Sequence, residues 1–349
     1  MRSPAVRLGL ALASVAVVAW VVVSGSRWLR RGVEPDPAGD LDVPRLVAPG
    51  EFGYEQLART PATGVPILCY HSFREGLTPL RLVRVLGAVL LNMPTLPDKD
   101  YWTTPLPEFE RQMRWLHEQG YRTISLDELC DWMDGRGPRP ERAVVITIDD
   151  GDESLATLAA PVLRKYGFSA TLFLLSGRTG QRDWNDIDFV DWPTLRRLQE
   201  QGVIRVESHT HDMHTKVSIH GEWVPRFLVS GRDADGKVSF DSALGRDLAT
   251  SRAAIRRELG TDAHYLAWPF GFGEAGVDSL AHREGFRRLL TLHPRRNLRD
   301  FRTILEGEAP DGLGRYAVTA RTSFRMFRLM IEGGQPAQPE PGVPAFRNS

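Results

Sequence analysis

From Val65 to Leu292 the chain repeats one unit: a short apolar run, then a stretch with helical spacing. The runs are VPILCY (65–70), YRTISL (121–126), AVVITI (143–148), SATLFLL (169–175), VIRVES (203–208), HYLAWP (264–269) and RRLLTL (287–292). Helical patterns separate them. Phe109, Met113 and Leu116 recur on one face and Gly120 ends that segment; LDELCDWM closes at Gly135. Further helical stretches cover Leu155–Tyr166, Trp192–Gln201, Phe240–Leu259 and Glu274–Glu284. Uninterrupted apolar strands such as AVVITI belong to parallel sheets covered on both faces. About seven units of this kind predict an α/β fold, a distorted parallel (β/α) barrel of about seven strands. Barrels of this type carry their chemistry at the C-terminal ends of the strands.

The ends of the chain read differently. Leu8–Ser26 is uncharged and almost wholly apolar, and at 1.5 Å per residue it reaches roughly the 30 Å of a bilayer core. Residues 1–31 therefore read as an N-terminal signal anchor, with a cleaved signal peptide as the alternative, and either predicts export. Anchoring would hold the protein to the cytoplasmic membrane with its catalytic part outside. Residues 32–61, rich in Pro, Gly, Asp and Glu, form a flexible linker; 62–332 form the folded domain; 333–349 form a Pro-rich disordered tail. Lys and Arg total 44, balanced by 44 Asp and Glu, so the basic excess of a nucleic-acid binder is missing. The two cysteines, Cys69 and Cys130, lack metal-site spacing and read as two buried thiols or, outside the cytoplasm, a pair.

Polar clusters fall where the barrel argument wants them. AVVITI runs into Asp149-Asp150-Gly151, VIRVES into His209, HYLAWP into Pro269-Phe270-Gly271, and RRLLTL into His293. The motifs Thr147-Ile148-Asp149-Asp150-Gly151, His209-Thr210 with a later histidine, Trp268-Pro269-Phe270-Gly271 and Leu290-Thr291-Leu292-His293 come in that order. In this order they resemble the polysaccharide deacetylases of the NodB-homology group, carbohydrate esterase family 4. The resemblance covers about residues 64–330.

That resemblance implies a metal-dependent N-deacetylase. One divalent ion, zinc first, with cobalt, nickel or iron as alternatives, would sit on Asp150, His209 and His214, leaving a position open for water. Most of the family places the second histidine four residues after the first, but position 213 here is Met213. His214, five residues on, gives the longer spacing seen in the subgroup acting on poly-β-1,6-N-acetylglucosamine, and leaves His211 and Asp212 outside the ligand set. Asp149 is implied as general base and His293 as general acid. The Phe270 N–H is expected to share the oxyanion with the metal, within a substrate-facing Trp268, Pro269, Phe270, Gly271 turn in which Trp268 reads either as a wall of the acetyl pocket or as a buried core residue. The family's arginine before this turn is absent, leaving open which group orients the base. His71, ending VPILCYH, is read as a structural hydrogen-bonding residue, with a position facing the site as the alternative. The expected partner is an N-acetylglucosamine-containing polysaccharide. Alternatives are a β-1,4-linked polymer of peptidoglycan or chitin type, or a non-catalytic glycan-binding protein on the same fold.

Overall fold

A computed structural model describes residues 64–76 and 101–334, apart from 185, 186, 220, 221, 234, 240, 272 and 293–311. The expected anchor, linker, most of the tail and His293 lie outside the described residues. Among those described, no helix is long and apolar enough to cross a membrane.

The main sheet is built from β1 (Ile67–Tyr70), β4 (Arg122–Thr123), β5 (Ala143–Asp150), β6 (Ala170–Leu174), β7 (Ile204–Ser208), β10 (Tyr265–Ala267), β11 (Arg288–Thr291), β12 (Leu313–Gly314) and β13 (Tyr316–Ala317). Every pairing in it is parallel, in the order β12-β11-β10-β7-β6-β5-β1-β13, with β4 beside the start of β5. The strands form a nearly closed barrel with helices around it, the fold that the sequence pattern predicts. β12 and β13 flank a single residue, Arg315. Leu313 and Gly314 pair with β11, while Tyr316 and Ala317 pair with β1. One extended segment thus bridges the two sheet edges.

Helices α1 (Leu106–Glu118), α2 (Leu126–Met133), α3 (Ala160–Tyr166), α4 (Trp192–Glu200), α5 (Arg226–Ser230), α6 (Ala243–Leu259), α7 (Ala275–Arg283) and α8 (Phe324–Glu332) occupy the connections and the C-terminal end. Local chemistry sets several of their starts: Ser125, Asp191, Ser242 and Ser323 each accept a backbone N–H from the first turn. Apolar side chains under the helices, among them Phe109, Met113, Leu163, Leu198, Leu248 and Phe327, join those of the sheet in one core. Cys69 and Cys130 are both buried and unpaired with each other.

Two small additions decorate the C-terminal end of the barrel. β2 (Ser72–Arg74) pairs in parallel with β3 (Thr103–Pro105), and β8 (Lys216–Ile219) forms an antiparallel hairpin with β9 (Glu222–Pro225). The stretch 72–104 has no assigned role in the sequence reading; its described parts form the β2–β3 pair.

Candidate active site

Asp150 ends β5, and His209 and His214 follow β7. The Nε2 atoms of His209 and His214 lie 3.5 and 3.6 Å from Asp150 Oδ1. Ligand atoms about 2.1 Å from one tetrahedral ion stand roughly 3.4 Å apart, so this spacing suits a single small cation. Two further observations agree with that fit. Asp150 Oδ1 is buried without a hydrogen-bond partner. His209 Nδ1 lies 2.7 Å from the Ala267 carbonyl, which fixes its proton there and leaves Nε2 as a lone-pair donor. Burial pushes His209 down to about 3 and His214 down to about 4, so both rings are neutral near pH 7. Burial, with Asp149 and Asp152 nearby, pushes Asp150 up to about 6. A nearby cation reverses that penalty.

Met213 is buried in the core, and its N–H donates to Thr210 Oγ1. That inward turn explains why His214 rather than residue 213 reaches Asp150. Asp247 on α6 accepts the N–H groups of His211 and Asp212 at 2.7 and 2.8 Å, holding the loop from outside. His211 Nδ1 meets Ser176 Oγ and Asp212 pairs with Arg178, so both side chains are engaged elsewhere. Asp150, Thr210 and Phe270 all take positive φ, at 69°, 75° and 62°. Left-handed backbone in non-glycine residues costs energy, and here it recurs at three strand ends facing one site.

Asp149 points to the inner side of the same strand end. Arg315 binds it with both terminal nitrogens, Nη1 to Oδ1 at 2.6 Å and Nη2 to Oδ2 at 2.8 Å, and both side chains are almost fully buried. The guanidinium also donates to Thr147 Oγ1 and the Thr291 carbonyl. Burial alone would raise the Asp149 carboxyl, but Arg315 foremost, then His209, hold it well below the usual carboxylate range. The sequence reading missed Arg315. Its one signal is a lone charge inside the apolar run LGRYAV (313–318). The basic partner absent before the Trp268–Gly271 turn thus comes from the segment that closes the barrel.

His71 departs from its expected structural role. Its Nδ1 is buried without a hydrogen-bond partner, and its ring packs 4.4 Å from that of Trp102. Cys69, His71 and Asp149 bring ligand-type atoms within 4.8 Å of one another. Burial lowers the His71 ring's basicity, while Asp149 and Asp150 pull it back up. This second cluster suits proton handling better than a metal. Arg315 already covers both Asp149 oxygens with positive charge, and burial pushes the Cys69 thiol far up.

Trp268 is fully buried, so it has no surface to offer a sugar. It stacks on Phe227 at 4.8 Å and its Nε1–H donates to Asp278 at 2.6 Å. Its role is to anchor the turn that follows. In that turn Pro269 and Gly271 are buried, and the half-buried Phe270 ring lies 4.5 Å from His214. A Cβ on Gly271 would stand 2.5 Å from Leu292, so glycine is required by space as well as by its φ of 83°.

Comparison with known proteins fits this geometry. Residues 136–289 match the family model described as polysaccharide deacetylase. Poly-beta-1,6-N-acetyl-D-glucosamine N-deacetylase of Staphylococcus aureus strain MRSA252 is 26% identical over 164 residues, 47% of this chain and 52% of the relative. The same-named protein of Staphylococcus epidermidis is 28% identical over 173 residues, 50% of this chain and 55% of the relative. The chain thus spans about half the length of these curated relatives. Among solved structures, IcaB from Ammonifex degensii superposes with a TM-score of 0.59 at 25% identity, covering 78% of this chain and 99% of that one. A de-N-acetylase from Aggregatibacter actinomycetemcomitans, at 19% identity and a TM-score of 0.59, shares the fold over 77% of this chain and 100% of that one. Residues 136–289 are thus similar to a polysaccharide deacetylase domain, and Asp149, Asp150, His209 and His214 all lie inside the matched stretch.

Proposed function

We propose that the protein removes N-acetyl groups from an exported or cell-surface polysaccharide, with poly-β-1,6-N-acetylglucosamine as the substrate. The observation that carries this reading is the paired carboxylate at the end of β5. Asp150 faces two neutral imidazoles, while its neighbour Asp149 is kept ionised by Arg315. The relatives named for the β-1,6 polymer and the five-residue spacing of His209 and His214 support the substrate.

Asp150, His209 and His214 are the residues that would hold a divalent ion, which when bound supplies Lewis acidity toward the acetyl carbonyl and acidifies water. Asp149 takes the proton from the attacking water as its oxygen joins the carbonyl carbon. Arg315 fixes the direction of that carboxylate. The Phe270 N–H, at the head of its strained turn, is the proposed oxyanion donor. As the C–N bond breaks, the sugar nitrogen needs a proton and acetate departs. His71 is the proposed carrier among the described residues: beside Asp149 with Nδ1 uncommitted, it takes on the proton that Asp149 removed from water and passes it to the sugar nitrogen. His293, the donor implied by the motif, stays a second candidate. Export, with residues 1–31 as the membrane anchor, belongs to the same proposal.

The test is acetate release from a β-1,6-linked N-acetylglucosamine oligomer with added metal. Expected is release that disappears with a chelator and falls about 10²–10⁴-fold in Asp149→Asn. Release from β-1,4 oligomers alone would keep the site and change the polymer. Metal binding without release from either would favour a glycan-binding role.

A further inference from the structure

The β8–β9 hairpin begins two residues after His214, so its position is tied to the candidate site by the chain itself. Val217, Ile219 and Val224 turn inward and pack with Val229. Strand alternation then places Lys216, Ser218 and Trp223 on the opposite face, with Trp223 directly across from Ser218. That face adjoins the site: Lys216 Nζ sits 4.8 Å above the Phe270 ring, which in turn packs 4.5 Å from His214. Trp223 is 54% exposed, the large apolar side chain that stands out among the described residues. By strand geometry it lies about 7–9 Å from Lys216 along and across the hairpin. A second sugar of a chain whose reacting unit sits at Asp150 comes within its reach.

We propose that Trp223 is a stacking platform for a sugar unit next to the one being deacetylated, making the β8–β9 hairpin a subsite for an N-acetylhexosamine polymer. This rests on the deacetylase reading. An indole offers a broad, stiff apolar face with one polar edge, which suits the C–H face of a pyranose and its surrounding hydroxyls. The hairpin's inner residues are core-anchored, so the platform is held in place before substrate arrives and little ordering cost remains. The platform works through binding, and the short substrate that fills only the reacting position does not touch it.

The experiment compares the full chain with Trp223→Ala and Trp223→Phe on the N-acetylglucosamine monomer and the β-1,6-linked hexamer. For Trp223→Ala, kcat/KM on the hexamer is expected to fall about tenfold through KM, with the monomer unchanged and Trp223→Phe near wild type. Equal values on every length, or an equal loss on every length, overturn the platform. Calorimetric titration of chelated protein with hexamer separates this from the activity itself. If wild type releases no acetate but binds hexamer about tenfold more tightly than Trp223→Ala, the platform stands and the deacetylase reading fails. If binding is unchanged while sedimentation with anionic phospholipid vesicles drops in the variant, Trp223 is a membrane contact and the proposal is overturned.

Discussion

Arg315 and Asp149 form a buried ion pair in which each partner depends on the other. Replacing Arg315 by Lys keeps the charge but loses the two-pronged grip. Arg315→Lys is expected to lower acetate release about 10- to 100-fold. The acid limb of its pH–kcat/KM profile moves to higher pH, because weaker charge stabilisation lets the Asp149 carboxyl rise. Arg315→Met leaves the carboxylate buried and unpaired, and a loss of about 3–5 kcal/mol in denaturant unfolding is expected. His71 and His293 can be told apart by leaving group. An aryl acetate ester departs without needing a proton, whereas a sugar amide does not. If His71 is the donor, His71→Gln lowers amide hydrolysis about 10²-fold or more yet leaves ester hydrolysis within a few-fold, and His293→Gln changes both little. The reverse pattern assigns the role to His293.

At the level of elements, the strand ends were readable because each couples an apolar run to an abrupt polar motif. Asp149, Asp150, His209 and Phe270 all sit where that coupling puts them. What the sequence hid were residues defined by partners far along the chain. Arg315 gains meaning only when β12 and β13 lie between β11 and β1, 166 residues from Asp149. Trp268 stayed ambiguous for the converse reason: a tryptophan beside a motif suits a pocket wall as well as a core, and only the fold shows α5 bringing Phe227 over it and α7 supplying Asp278. The β8–β9 hairpin was invisible as structure because its strands are short, polar on one face and joined within a long insertion. The turn after β10 gives a prediction at this scale. Gly271→Ala forces a Cβ into Leu292 and a side chain into a left-handed backbone. It is expected to cost about 2 kcal/mol or more of stability and to lower activity further by moving the Phe270 N–H, measured by thermal unfolding and acetate release.

For the whole molecule, the site's buried groups shape how stability varies with pH in the absence of metal. His209 and His214, driven down by burial to about 3 and about 4, are neutral in the fold while their unfolded counterparts protonate below about 6.5. Together with His71, also lowered, they make stability rise with pH up to that point. Asp150, raised to about 6, and Glu207, raised by burial to about 8, act in the opposite sense. Each holds a proton in the fold that the unfolded chain has already lost, so its contribution falls as pH rises toward the folded value. Below about pH 6 three imidazoles outweigh two carboxyls and the curve climbs slowly. Above about 6.5 the imidazoles have finished while Glu207, among the described groups, still holds its proton in the fold, so stability declines toward pH 8. Urea unfolding of chelated protein should therefore show a maximum near pH 6.5, and Glu207→Gln should remove the alkaline decline. Zinc added to wild type should stabilise more with each step in pH up to about 6–7, because a ligand set containing ionised Asp150 must first shed that proton. A metal effect of equal size at pH 5 and pH 7 would mean that Asp150 is not among the ligands.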